Sequence, residues 1–416
     1  MRGVFFMAVK TKKKGKIALI VLGSIVGVIA FLLCVCVAVS FVGIKSNQNF
    51  IKSLEPVNYE SQLEPVLEDG YYTFTTDNDF RVMQLTDIHI GAGFLSIKKD
   101  SMALNAVAAM VSEEKPDLVV VSGDIAYPIP FQAGTLNNKN SAKLFAELME
   151  QLGVYWCPAY GNHDTETYSY FTREDISEFY TSGEFEHCLL QTGPEDVDGF
   201  SNYVVNVKNT QGKITQSVIM LDSQSYVGNG IIDGFIMKYD RIHDNQVEWY
   251  KNEIAALTEK NGGETPKSIV FFHIPLIEYK DAWTEYVDNG NQDTENVKYI
   301  YGKVGEAGDA IYCAPENCGL FNTALELGST QGFFCGHDHL NNFSLDYKGI
   351  RLTYGYSIDY LAYFGIMKYG AQRGCTMIDI APDGSFTSTL ENYYQDKYSS
   401  VKAKEQVDMG EWIPKY

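Results

Sequence analysis

Five apolar runs in this chain each stop at a short cluster of aspartate, histidine or asparagine, and no other feature limits its fold as tightly. Phe80–Leu85 runs into Thr86-Asp87-Ile88-His89, and Leu118–Val121 into Ser122-Gly123-Asp124. Val154–Ala159 runs into Gly161-Asn162-His163-Asp164, Ser268–Phe272 into His273, and Gly332–Cys335 into Gly336-His337-Asp338-His339. Between them lie segments of helical period, residues 98–114 (stopped by Pro116), 141–152, 244–257 and 321–327. Alternating strands and helices predict a layered α/β fold, whose strand C-termini converge on one edge where ligands bind. Ser217–Leu221 is a further strand, ending at Asp222. Arg351–Tyr354 and Thr376–Ile380, followed by Pro382-Asp383-Gly384, read as hairpins. Residues 281–316 are polar and aperiodic, and are expected to form a long loop or insertion near the site.

One Asp-x-His or Gly-Asp after a strand is ordinarily a turn or a cap. Five such clusters, all at strand tips and all made of carboxylate, imidazole or amide oxygen, are a different matter. Five of the seven histidines belong to the set, His187 and His243 being the exceptions. These ligand types suit Zn, Mn, Fe or similar divalent ions. A donor set of about eight with one shared carboxylate suits two metals roughly 3.5–4 Å apart.

As a set, these motifs resemble the calcineurin-like metallophosphoesterase superfamily. The nearer resemblance is to its purple-acid-phosphatase-like branch, through Lys115-Pro116-Asp117-Leu118, Phe272-His273-Ile274-Pro275-Leu276 and Gly336-His337-Asp338-His339-Leu340-Asn341-Asn342-Phe343. The resemblance covers roughly residues 80 to 370 and implies a four-layer αββα sandwich. It implies two divalent ions (Mn, Fe or Zn). Asp87, His89 and His339 would hold the first, Asn162, His273 and His337 the second, and Asp124 would bridge both. In such enzymes a metal-bridging hydroxide attacks a phosphate ester in line, so the implied activity is that of a phosphatase. A phosphodiesterase or nucleotide pyrophosphatase on the same scaffold is the alternative, and a catalytically inactive binding ectodomain a third. His163 would assist the leaving group, with Asp164 orienting it. Tyr127 stands where purple acid phosphatases place an iron-binding tyrosine, but their first motif lacks the histidine present here as His89. His89 is therefore expected to ligate, and Tyr127 to lie behind the ligands or in the core. Arg173 is a candidate phosphate contact, although a helix-start surface role is the plainer reading. Tyr360, Tyr363 and Phe364 are candidates for the pocket wall, or for core.

The N-terminus carries a second constraint. Ile17–Ile44 has no charged residue and exceeds the ~20 residues that span hydrocarbon. Six basic residues and no acid precede it, which predicts a cytoplasmic N-terminus and an exported body. A cleaved signal peptide, cut near Ala38-Val39-Ser40, is the alternative. The expected organisation is a cytoplasmic tail at 1–16, a single transmembrane helix at 17–44, a polar stalk at 45–70, the catalytic domain at 71–395 and a surface tail at 396–416. Lys and Arg total 33; without the six at the start, 27 face 53 acidic residues, so the rest of the chain sums to −26. That charge argues against a nucleic-acid-binding surface. The expected partners are a phosphate-ester substrate and the membrane. Eight cysteines show no zinc-ribbon spacing, and Cys313 with Cys318 could close a small disulfide loop or remain free.

Overall fold

The computed structural model describes residues 3–228, 238–366, 372–391 and 394–405, without the side chains of 3–15 and 391. Most of the expected basic tail at 1–16, and residues 406–416 of the expected C-terminal tail, therefore lie outside the described side chains.

Two sheets pack face to face. The smaller places β3 (Phe80–Leu85), β4 (Leu118–Ser122) and β5 (Trp156–Ala159) in parallel, flanked by the antiparallel hairpin β13 (Cys375–Ile380) and β14 (Phe386–Glu391), in the order β14-β13-β3-β4-β5. All five residues of β4 are buried, as expected of a parallel strand covered on both faces. The larger sheet has nine strands: β1 (Val66–Glu68), β2 (Tyr71–Thr75), β6 (Tyr203–Lys208), β7 (Ile214–Met220), β8 (Lys267–Phe271), β10 (Thr330–Cys335), β12 (Ile350–Tyr354), β11 (Ser344–Tyr347) and β9 (Val297–Tyr301), in that spatial order.

Alternation along β7 separates two cores. Val218 and Met220 join the core shared with the small sheet, while Ile219 and Leu221 face the helices outside the large one. Those outer helices are α5 (Asp244–Lys260), α6 (Ile277–Asp288) and α7 (Leu320–Leu327), which contribute Tyr250, Tyr279 and Phe321. On the opposite face, α2 (Ile97–Glu114) and α3 (Asn138–Leu152) cover the small sheet with Leu104, Val107, Leu144 and Leu148. Between the sheets, Gln84 on β3 donates to the Cys335 carbonyl on β10. The result is the expected four-layer αββα arrangement.

Three segments differ from their sequence expectation. Residues 281–316 are not a structureless loop, because they hold most of α6 and the edge strand β9. Tyr279, Ala282, Trp283 and Tyr286 recur at helical spacing and pack on the outer core, a period masked by the polar residues around it. Residues 45–70 are not a free stalk. The N-terminal helix α1 (Gly3–Lys52) continues without a break into this region. Ile51 is buried, Phe50, Leu54, Val57 and Tyr59 pack against the core, Gln48 donates to Glu147, and Gln151 donates to the Leu54 carbonyl. Burying such a side chain contributes about 1.5–3 kcal/mol, which exceeds the ~1–2 kcal/mol cost of ordering its backbone.

The described part of the expected C-terminal tail is also docked. A short helix, α8 (Tyr394–Lys397), buries Tyr394, and Glu405 accepts from the hydroxyls of Tyr360 and Tyr394. Glu405 also lies 3.2 Å from the guanidinium of Arg373, which has no exposed side-chain surface and stacks over Tyr360 at 4.0 Å. Removing one partner of a buried ion pair leaves an uncompensated charge. Glu405→Ala is therefore expected to destabilise the chain by about 3 kcal/mol, read by denaturant titration. An unchanged midpoint would show that the segment is only laid on the surface. All eight cysteines are free, so Cys313 and Cys318 are not joined.

Candidate metal centre

The tips of β3, β4, β5, β8 and β10 bring all five clusters to one edge, and the backbone there is strained. Asp87, His89, Asp124 and His337 all have positive φ, between 51° and 78°, where non-glycine residues cost energy. Glycines make the close approaches possible. A Cβ on Gly161 would lie 2.1 Å from Asp124 Oδ1, and one on Gly123 (φ +94°) would lie 2.5 Å from His273 Nδ1.

Asp87, His89, Asp124 and His339 are buried and offer ligand atoms that all lie within 4.8 Å of one another. His89 Nε2 sits 3.6 Å from Asp87 Oδ1, 3.7 Å from Asp124 Oδ2 and 3.1 Å from His339 Nε2. On the other side of Asp124, His273 Nε2 is 3.1 Å from Asp124 Oδ2 and 3.2 Å from Asn162 Oδ1. The His337 ring packs 5.2 Å from that of His273. The structure thus places the seven expected ligands in two adjoining groups with Asp124 between them.

This donor set fits cations. Asp124 Oδ2 is fully buried and accepts no hydrogen bond, although two imidazoles flank it. Burial alone would raise the Asp124 carboxyl, yet the rings of His273 and His163 hold it well below the usual carboxylate range. Burial would lower His273, but Asp124 lifts it to about 9, and Asp359 likewise lifts His339 to about 10. At His89 and His337 burial prevails and holds both rings low, so among these four rings positive charge is favoured only on His273 and His339.

Hydrogen bonds fix the ligating atom on several side chains. His273 donates from Nδ1 to the Ser122 carbonyl, and His339 from Nδ1 to Asp359, leaving each Nε2 directed inward. Asn162 donates from Nδ2 to the Tyr226 hydroxyl, which turns its Oδ1 toward His273. Asp359 and Tyr226 were not singled out from sequence. Neither belongs to a motif, and only folding brings them to the site.

Two expected roles are corrected. His163 Nδ1 pairs with Glu166 Oε1 at 2.6 Å, so the partner of this ring is Glu166 and not Asp164. The Asp164 carboxylate is taken up by the backbone N–H groups of Asp124, Ala126 and Gly161, tying two of the clusters together. The spacing His163-x-x-Glu166 was the missed signal. Arg173 is not directed at a phosphate position. Its guanidinium donates to Thr165 Oγ1, Asp222, the carbonyls of Gly161 and Gln224, and Ser225 Oγ. It opens α4 (Arg173–Tyr180), capped by Thr172, but it is largely buried rather than on the surface.

Tyr127 donates to Gln132 and presents its ring edge-on to His89 at 4.7 Å, so it supports that ring. Tyr363 stacks on His339 at 4.7 Å, Tyr360 is core, and Phe364 is fully exposed. The two histidines outside the set make other contacts: His187 pairs with Glu150, and His243 with Asp198 and Asp240.

A family model described as calcineurin-like phosphoesterase matches residues 80–341. The chain is similar to a protein of Arabidopsis thaliana named probable inactive purple acid phosphatase 14, at 29% identity over 70% of this chain and 73% of the relative. Its similarity to probable inactive purple acid phosphatase 29 of the same plant is 28%, over 70% and 74%. The phosphatase DCR2 of Saccharomyces cerevisiae matches at 26% over 65% of this chain and 46% of its own. Among solved structures, a dimetal phosphatase from Danio rerio aligns with a TM-score of 0.44 at 12% identity, over 74% of this chain and 98% of that one.

Proposed function

The chain belongs to the calcineurin-like phosphoesterase family, and from that membership we propose that it is an active phosphatase that hydrolyses phosphate esters with two divalent ions. Asp87, His89 and His339 would hold one ion, Asn162, His273 and His337 the other, and Asp124 both. The observation that carries this reading is the buried, unbonded Asp124 Oδ2 lying between the two groups. Bound there, two cations lower the pKa of water and offset charge on the phosphoryl oxygens.

The chain's own groups do the rest. Glu166 holds the His163 ring at Nδ1, which leaves Nε2 to carry a proton to the leaving oxygen. Tyr127 packs edge-on against both His163 and His89, whose rings also meet each other at 5.6 Å, and so buttresses the pair. Asp359 and the Ser122 carbonyl keep Nε2 of His339 and His273 free of protons once metal is bound. The plant relatives carry names that call them probable inactive. In this chain every donor position is filled, and so many buried polar groups would be costly without a cation.

Metal removal tests the reading. Chelator-stripped chain is expected to lose turnover of p-nitrophenyl phosphate and to regain it with Mn, Zn or Fe. Turnover that survives stripping would refute metal dependence. Comparison with bis-p-nitrophenyl phosphate separates monoesterase from diesterase.

The helix from Lys16 to Lys52 is apolar and long enough to cross a membrane, consistent with a single-pass anchor or a signal sequence. We take it as an anchor. On that reading, the six basic residues within 1–16 favour a cytoplasmic N-terminus and a catalytic domain outside the cell membrane. The acidic body keeps nucleic acid away.

A further inference from the structure

The apolar helix leaves the domain at the edge that holds the metal centre. Helices α1, α2 and α3 run side by side in one direction. Gly43 packs on Ile97, the first residue of α2, so closely that an added Cβ would lie 2.4 Å from its side chain. Farther along, Gln48 reaches Glu147, Gln151 reaches the Leu54 carbonyl, and the Val57 amide reaches the Leu152 carbonyl. Tyr59 then donates to the Pro116 carbonyl beyond the end of α2. The start of α2 follows directly from the Asp87/His89 tip of β3, so Gly43 marks the active edge and Tyr59 the opposite one. The residues before Gly43 therefore project from the active edge. Phe41 and Val42 are already 69% and 66% exposed, so no spacer separates the apolar helix from the domain.

The loops of the site on the side of α1 are uncharged. Residues 91–97, 125–138, 167–172 and 360–366 contain no charged side chain, in a chain whose remainder after the tail sums to −26. Ile97 joins the first of these loops to Gly43 at the exit of α1, and hydrogen bonds join the loops to one another. The Leu95 amide bonds the Ala133 carbonyl, Gln132 bonds the carbonyls of Leu361 and Ala362, and the Tyr170 amide bonds the Leu136 carbonyl. From this rim Leu95, Phe131, Tyr170 and Phe364 stand 47%, 93%, 66% and 101% exposed. Exposed aromatic and aliphatic side chains grouped beside a site mark an interaction surface. Lys45 and Lys98 are exposed next to the exit, and such cations pair with lipid headgroups wherever a bilayer meets them.

We propose that this rim seats on the bilayer that α1 spans, so that the metal centre opens toward the membrane surface and takes phosphate esters carried by lipids. The inference rests on the phosphoesterase reading and on α1 as an anchor. Continuity with the apolar helix selects the bilayer over a protein partner, because a domain tethered at Gly43 with no spacer has its active edge against the lipid. A lipid phosphate held in the headgroup layer then meets the site without leaving the membrane.

The test uses the full chain in phosphatidylcholine vesicles. The lipid probes are phosphatidic acid, a monoester, and phosphatidylglycerol, a diester; the soluble probes are p-nitrophenyl phosphate and its bis ester. Turnover of the soluble probe counts the outward-facing, folded domains. The double variant Phe131→Ser/Phe364→Ser is expected to lower lipid turnover about ten-fold or more relative to soluble turnover, which should hold steady. A flexible glycine-serine spacer inserted between Val42 and Gly43 should lower the same ratio by lifting the domain. Soluble turnover with no lipid turnover, or an unchanged ratio in both variants, overturns the inference and leaves the phosphoesterase reading standing. Hydrolysis of neither probe class sinks both.

Discussion

Asp124→Asn is expected to reduce turnover on the order of 10³-fold or more and to strip both metals together, because the variant removes the one charge the two ligand groups share. The substitution is close to isosteric. Asp124 Oδ1 accepts the His163 amide, and the Asn carbonyl can still do so. The other oxygen lies 3.1 Å from His273 Nε2 and 3.7 Å from His89 Nε2, and no other carboxylate lies that close to both rings among the described contacts. Elemental analysis of the purified variant, beside its melting temperature, separates metal loss from misfolding. A folded Asp124→Asn chain that keeps two equivalents of metal would mean the two groups are held independently.

The second large effect is expected at His163. His163→Ala should lower kcat by about 10²–10⁴-fold while metal content stays at the parent value. The ring packs on that of His89, but its hydrogen bond is to Glu166, whose Oε1 holds Nδ1 at 2.6 Å. Glu166 acts through that ring and is a positioning residue. Glu166→Gln should cost less than His163→Ala, and the double variant should cost no more than His163→Ala alone, since residues that act as a unit are not additive. Asp164→Asn should behave differently. Its carboxylate serves three backbone amides, so the expected loss is in stability as well as in rate. Should Glu166→Gln and His163→Ala multiply instead, Glu166 would have a role of its own in the pocket.

The candidate site was legible where ligands sit within a few residues of a strand end. Asp87, His89, Asp124, Asn162, His163, His273, His337 and His339 all follow apolar runs, and a strand that ends in polar residues delivers them to one edge whatever the loops do. The groups that hold those ligands were not legible. Asp359 and Tyr226 lie in loops, where no period marks them, and each is known only from the atom it contacts, while Glu166 had only its spacing from His163 to mark it. Arg173 shows the converse. An arginine after the third motif looked like a phosphate contact, but the same fork of donors fits carbonyls and Asp222 equally well, and the fold supplied those first.

From its order of residues alone, the chain determined a layered α/β body, an edge that gathers residues able to hold metal ions, and an apolar helix before it. Periodicity and ligand type are local, and they survive without knowledge of distant neighbours. Tertiary structure alone decided that residues 45–70 dock instead of swinging free, that Glu405 returns to cover Arg373, and that the apolar helix departs from the same edge as the metal centre. Each of these depends on contacts between segments far apart in the chain, and their energy comes from surfaces that exist only once both sides have folded.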